Sequence, residues 1–263
     1  VDHSGGWQTL VDGTSGVVLA VDFDGTGRPE SRFADLVANL TGGEYSVWQT
    51  VLPDLATAER GAFRTHWIRR LLDERPEIVA LFGYCAGSVH AADLADGLAD
   101  ALGVRVPLVL FDPETVDADA MLVEFKQAIG SLAGTIPQSE IDAFLETATQ
   151  VRARHSELEP LCDELLALVR AVGAPALDRA GLPETLREEL IELLSSYMRY
   201  LAAADVDPWD QWSTAVVFTS TSPLSGLNAM RAAHPVEVGQ EIHVDVDNVR
   251  LLGDPAVGPA REQ

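Results

Sequence analysis

Lysine is nearly absent: Lys126 is the only one in 263 residues. Even with arginine included there are 18 cations against 41 acids, a formal net charge of -23. A surface this negative repels phosphate backbones and anionic headgroups, so nucleic acid and membrane are not expected partners. An acidic carrier protein would also be repelled at long range, unless it is tethered or meets a local basic patch. Cysteine is scarce too: Cys85 and Cys162 are the only two, too few for a disulfide framework. A reducing cytoplasm is therefore the expected compartment. No apolar run reaches the ~18 residues of a membrane span, and no signal peptide is expected. Internal repeats and low-complexity tracts are missing as well. Apolar residues, at 47%, are plentiful. They suffice for one large domain, or one domain carrying an insertion.

The chain then reads as alternating elements. Residues 1–16, polar and Gly-rich, read as a leader or linker with room for a short edge strand. Val17 to Phe23 is nearly continuous in apolar character, which predicts a buried strand. Ser31 to Leu40 spaces Phe33, Leu36, Val37 and Leu40 as a helix does. Tyr45 to Leu52 predicts a second strand, stopped by Pro53, and Ala56 to Glu74 a second helix. After Ile78 to Phe82 come a helix-period segment from Ser88 to Leu102 and an apolar run from Val106 to Phe111. Residues 115–207 differ, with helices predicted near Ala118 to Leu132, Gln138 to Ala171 (broken near Pro160) and Pro183 to Ala203. A helical block between strands of an α/β chain reads as an inserted lid. Strand patterns resume at Thr214 to Ser220 and Glu241 to Asp247. The expected architecture is an α/β core from residues 17–114 and 208–263, with a mostly parallel sheet covered on both faces.

One motif stands out. Gly83-Tyr84-Cys85-Ala86-Gly87 sits between a predicted strand and a predicted helix. This is the G-x-S-x-G nucleophile elbow with cysteine in place of serine. Glycines flank the nucleophile because the strand-to-helix turn leaves no room for side chains beside it. The turn would lift Cys85 to the C-terminal sheet edge, where a helix N-terminus favours a thiolate. The next strand ends at Asp112. Asp24 to Gly27 and Asp247–Asn248 fall at strand ends on the same edge, where ligands bind in such sheets.

Over most of its length the chain resembles the α/β-hydrolase thioesterases that release acyl or peptidyl chains from polyketide and nonribosomal peptide synthases. The resemblance rests on the order of G-Y-C-A-G, Asp112, a helical block, a later strand and the tail D-N-V-R-L-L-G-D-P. It implies an α/β-hydrolase fold with an inserted helical lid, Cys85 as the acyl-accepting nucleophile and Asp112 as the acid. It also implies an oxyanion hole from the Ala86 N–H and the Gly25–Thr26 turn. The substrate would arrive on the phosphopantetheine of a carrier protein, with no bound cofactor and no metal. Ser220 to Pro223 holds no acid, so the alternative acid position of that family is empty. The family tail carries a catalytic histidine; here that position is Asn248. An amide cannot take a proton from the nucleophile, a severe loss for a serine enzyme. Cysteine suffers less, since a thiol ionises far more readily. Acylation of Cys85 is then expected, with release by cyclisation, transfer or hydrolysis. His243, on the last predicted strand, is the first reserve for a base, although at ~3.3 Å per residue it stands well away from Asn248. His3, His66, His90, His155 and His234 read as ordinary structural or surface residues.

Two other readings stay open. Val17 to Thr26, V-V-L-A-V-D-F-D-G-T, matches the first motif of haloacid-dehalogenase-like phosphatases. Asp22 and Asp24 would serve as nucleophile and acid/base beside Mg²⁺, with Thr219 or Ser220 and Lys126 as further motif residues. No G-D-x-x-x-D cluster follows. Alternatively Cys85 is a small hydrophobe in a turn that has lost its chemistry, leaving an acyl-binding module. Cys162 reads as lid core.

Overall fold

A computed structural model describes residues 6–24, 31–39, 44–53, 61–103 and 105–257. The described residues form two compact units: one drawn from Val1–Pro53, Gly61–Thr115 and Val206–Gln263, the other from Val116–Asp205.

The first unit is a seven-stranded sheet. Along the chain its strands are β1 (Trp7–Val11), β2 (Val17–Val21), β3 (Ser46–Thr50), β4 (Ile78–Tyr84), β5 (Leu108–Phe111), β6 (Val216–Thr219) and β7 (Gln240–His243). Across the sheet the order is β1-β3-β2-β4-β5-β6-β7. Only the β1–β3 pairing is antiparallel. β2 is buried at all five positions, as a strand covered on both faces must be, and its V-V-L-A-V sequence carries that burial without alternation. On one side, α1 (Phe33–Asn39) and the C-terminal turns put Phe33, Leu36, Leu251 and Leu252 against Val18, Ala20, Tyr84 and Phe111. Elsewhere α2 (Ala62–Glu74) packs on α3 (Gly87–Leu102), and α3 packs on β4. Trp67 of α2 and His90 of α3 meet edge to face at 5.9 Å, so His90 is an aromatic packing residue.

Several expectations are corrected at their ends. The short edge strand for which residues 1–16 left room is Trp7–Val11, where Trp7 is fully buried and donates its indole N–H to the Trp67 carbonyl. β2 stops at Val21, so Asp22 and Asp24 do not alternate on a strand. Asp22 is buried with Oδ1 accepting from the Phe23 N–H, whereas Asp24 is exposed. Lys126 belongs to the second unit, and Thr219 donates its hydroxyl to Glu241. The helix from Ala56 begins, among the described residues, at Ala62; residues 54–60 lie outside them.

The second unit is helical: α4 (Ala118–Gly130), α5 (Gln138–Arg154), α6 (Leu158–Leu168), α7 (Ala174–Arg179) and α8 (Glu184–Ala203). The break expected near Pro160 lies at 155–157, just before it. Proline sits in the first turn of α6, where its missing N–H is one the helix could not have used. From Val169 to Gly173 the helix widens into a π turn ahead of Pro175, whose ring and absent N–H are incompatible with continued α bonding. Phe125 and Phe144 stack at 5.9 Å in this unit's core. Cys162 is fully buried there, as expected; burial, with Asp163 nearby, pushes its thiol up to about 12. No described helix is long and apolar enough to cross a membrane.

The chain continues through α9 (Trp209–Trp212) into β6, and α10 (Gly226–Arg231) connects β6 to β7.

Candidate active site

Cys85 occupies the turn between β4 and α3 with φ +50°. A non-glycine residue in that region costs about 1–2 kcal/mol, and a strand-to-helix elbow is where such strain is held. Gly83 shows why the motif needs glycine. A Cβ there would lie 2.7 Å from the Ser88 Cα. The turn is closed by Cys85 N–H donating to the Phe111 carbonyl at 3.0 Å and Ser88 N–H donating to the Cys85 carbonyl at 3.0 Å. Ala86 is the N-cap of α3, so the positive end of a 16-residue helix lies beside Cys85. Gly25 and Thr26, the other expected oxyanion donors, lie outside the described residues.

Asp112 directly follows β5 and is fully buried, with φ +41°. The Ser220 N–H donates to its Oδ1 at 2.8 Å, and the Asn248 Nδ2 donates to its Oδ2 at 2.8 Å. Gly226 φ is +56°, and a Cβ there would lie 2.9 Å from the Asp112 Cα, so the start of α10 abuts the acid's backbone.

Asn248 opens a 3-10 turn (Asn248–Gly253) anchored by buried Leu251 and Leu252. Its amide orientation follows from its partners. A carboxylate only accepts, so the NH₂ faces Asp112. The Asn248 Oδ1 accepts from the Tyr84 hydroxyl at 2.9 Å. Its backbone N–H donates to Ser222 Oγ at 2.8 Å, and its carbonyl accepts from Ser31 Oγ at 2.8 Å. The structure thus brings Asp112 and Asn248 into direct contact, through the amide rather than a ring. His243, the reserve base, is an exposed β7 side chain 3.8 Å from Glu241.

Motif reading missed two neighbours. Tyr84, the variable elbow position, is the hydroxyl that fixes the Asn248 amide. Glu114, two residues past Asp112, brings Oε2 to 3.9 Å from Cys85 Sγ. The same oxygen accepts from the Gly226 N–H at 3.5 Å, and the Glu114 N–H donates to the Cys85 carbonyl at 3.3 Å. The D-P-E sequence after a strand end was the only available signal. It does not say which way a loop carboxylate turns. Asp22 and Asp24 take no part in these contacts as described, and no group of three or more metal-ligating side chains occurs among the described residues.

No family model matches this chain, and no curated protein matches it. Solved structures do. A four-domain nonribosomal peptide synthetase bound to AMP and glycine aligns with TM-score 0.56 and 15% identity, over 95% of this chain and 19% of that one. This chain therefore spans about a fifth of that synthetase's length. RedJ thioesterase, from the prodiginine pathway of Streptomyces coelicolor, aligns with TM-score 0.49 and 16% identity, over 91% of this chain and 85% of that one. The Vlm2 thioesterase domain bound with a dodecadepsipeptide aligns with TM-score 0.48 and 13% identity, over 94% and 91%. Likeness at this identity concerns architecture. A mostly parallel seven-stranded sheet with one antiparallel edge, an elbow after β4 and an acid after β5 make this chain an α/β-hydrolase fold.

Proposed function

We propose that this chain is a thioesterase-like domain that accepts an acyl or peptidyl group from a carrier-protein thioester onto Cys85. The observation that carries the reading is Cys85 itself, half-buried at φ +50° on the glycine-flanked turn from β4 into α3. A thiol at a helix N-terminus is activated where a serine would need a base. The Ala86 N–H would receive the developing oxyanion, with Gly25 and Thr26 the further donors that the resemblance implies. The substrate class that goes with this reading is a chain held on a carrier's phosphopantetheine, and the likeness to a nonribosomal peptide synthetase supports a carrier-held substrate. The helical unit would serve as the lid. Asp112 and Asn248 act here as a fixed pair: with Nδ2 on the carboxylate and Oδ1 under a tyrosine hydroxyl, the amide shapes the wall beside the elbow and shuttles no proton. Release then favours an internal nucleophile of the substrate, by cyclisation or transfer, over water.

Intact-mass measurement after incubation with an octanoyl-N-acetylcysteamine thioester tests this. A covalent octanoyl adduct is expected, and Cys85→Ala should abolish it. Absence of the adduct in the wild type overturns the reading. The locked Asn248 amide favours one second reading, an acyl-binding module without turnover. It would show as tight carrier-protein binding with no adduct.

A further inference from the structure

The geometry points to Glu114 as the proton acceptor and donor for Cys85, standing in for the absent histidine; this rests on the acyl-transfer reading above. Asn248 occupies the position where a base was expected, but its donor and acceptor are both engaged, by Asp112 and Tyr84. The carboxylate at the sulfur is Glu114, with Oε2 3.9 Å from Sγ. It is held on two sides, by its own N–H on the Cys85 carbonyl and by the Gly226 N–H on the same Oε2. A catalytic contact is commonly long before substrate binds and shortens in the complex.

A carboxylate beside a thiol does the opposite of a histidinium. Its negative charge disfavours the thiolate. At Cys85 this opposes the pull of the helix N-terminus, so the attacking thiol needs an acceptor for its proton. When Sγ attacks the thioester carbonyl, its proton passes to Glu114 Oε2. The bond from the acyl carbon to the carrier's sulfur breaks, and the departing thiolate takes that proton. In release, a hydroxyl or amine of the substrate gives its proton to Glu114 as it bonds to the acyl carbon, and Cys85 leaves and is reprotonated. The balance needs no other reactant. Among the described residues, the ionisable groups in contact with this wall include Asp112, bound by Ser220 N–H and Asn248, and Tyr84, whose hydroxyl is on Asn248. α10 contributes the neutral Gly226 N–H and the Met230 thioether on Thr115, and the tail a neutral amide.

Glu114→Gln is the test, since glutamine keeps an oxygen for the Gly226 N–H and removes only the base and its charge. Two rates are read on folded protein: octanoyl transfer from the N-acetylcysteamine thioester, and iodoacetamide alkylation at the Cys85 peptide across pH. Transfer should slow at least about tenfold. Alkylation near neutral pH should instead speed up about threefold to tenfold, as the thiol's titration moves down. An unchanged transfer rate in Glu114→Gln, or an alkylation rate that falls with it, overturns the assignment while leaving Cys85 acylation standing. Absence of any wild-type adduct instead removes the acyl-transfer reading, and with it the reaction Glu114 would serve.

Discussion

At the scale of the residue, Asn248 is where chemistry and stability part. Asp112 is fully buried with two donors, and Asn248 supplies one of them. Asn248→Ala is expected to cost about 1–3 kcal/mol, the penalty of a buried acceptor losing its partner, read from urea unfolding. Asn248→His is expected to do the reverse for chemistry. An imidazole N–H can take over the Asp112 contact and expose a second nitrogen as a base. Acyl-Cys85 hydrolysis should then rise at least about tenfold, within the usual range of general base catalysis, measured as decay of the octanoyl adduct. No gain would mean that Tyr84, now on the amide oxygen, holds the tail where a ring does not reach the sulfur. Gly83→Ala tests the elbow. With a Cβ only 2.7 Å from the Ser88 Cα, a loss of about 1–3 kcal/mol is expected from overpacking, also read by urea.

At the scale of the element, α10 and β7 are joined by Arg231, which donates to both Glu241 oxygens at 2.9 and 2.8 Å. Burial pushes the Glu241 carboxyl up, but the hydrogen bonds from Arg231 and Thr219 outweigh it and hold it below its ordinary value. A depressed acid stabilises the fold above the unfolded carboxyl range, near pH ~4.3, and that contribution is lost as pH falls through the lower folded value. Arg231→Ala should therefore flatten the acid side of a melting-temperature profile between pH ~5 and ~3, by under about 1 kcal/mol for a partly exposed pair. The order of elements was readable from the sequence because periodicity is local: 2 in strands, 3.6 in helices. Their ends were not. β2 stopping at Val21 ended the alternation that made Asp22 and Asp24 look like a pair. The break expected near Pro160 falls at residues 155–157, with Pro160 inside the first turn of α6.

At the scale of the molecule, charge governs encounter. A chain at -23 meeting an acidic carrier is repelled at long range. Acyl transfer from a free acidic carrier protein should speed up as salt rises from ~0.01 to ~0.15 M, because screening shortens that repulsion. Transfer from the neutral N-acetylcysteamine thioester should not change. A carrier rate that falls with salt would reveal a local basic docking patch.

The sequence by itself determined the strand–elbow–helix–strand–Asp order, the cysteine at the turn, the acidic surface and the asparagine in the tail. Each follows from neighbouring residues or from composition. Only the tertiary structure decided what those groups touch. Asn248 meets residues 164 and 136 positions away, Tyr84 and Asp112. Glu114 faces a sulfur 29 positions back. Such contacts are set by sheet order and by which way a loop side chain turns, and no local pattern encodes either.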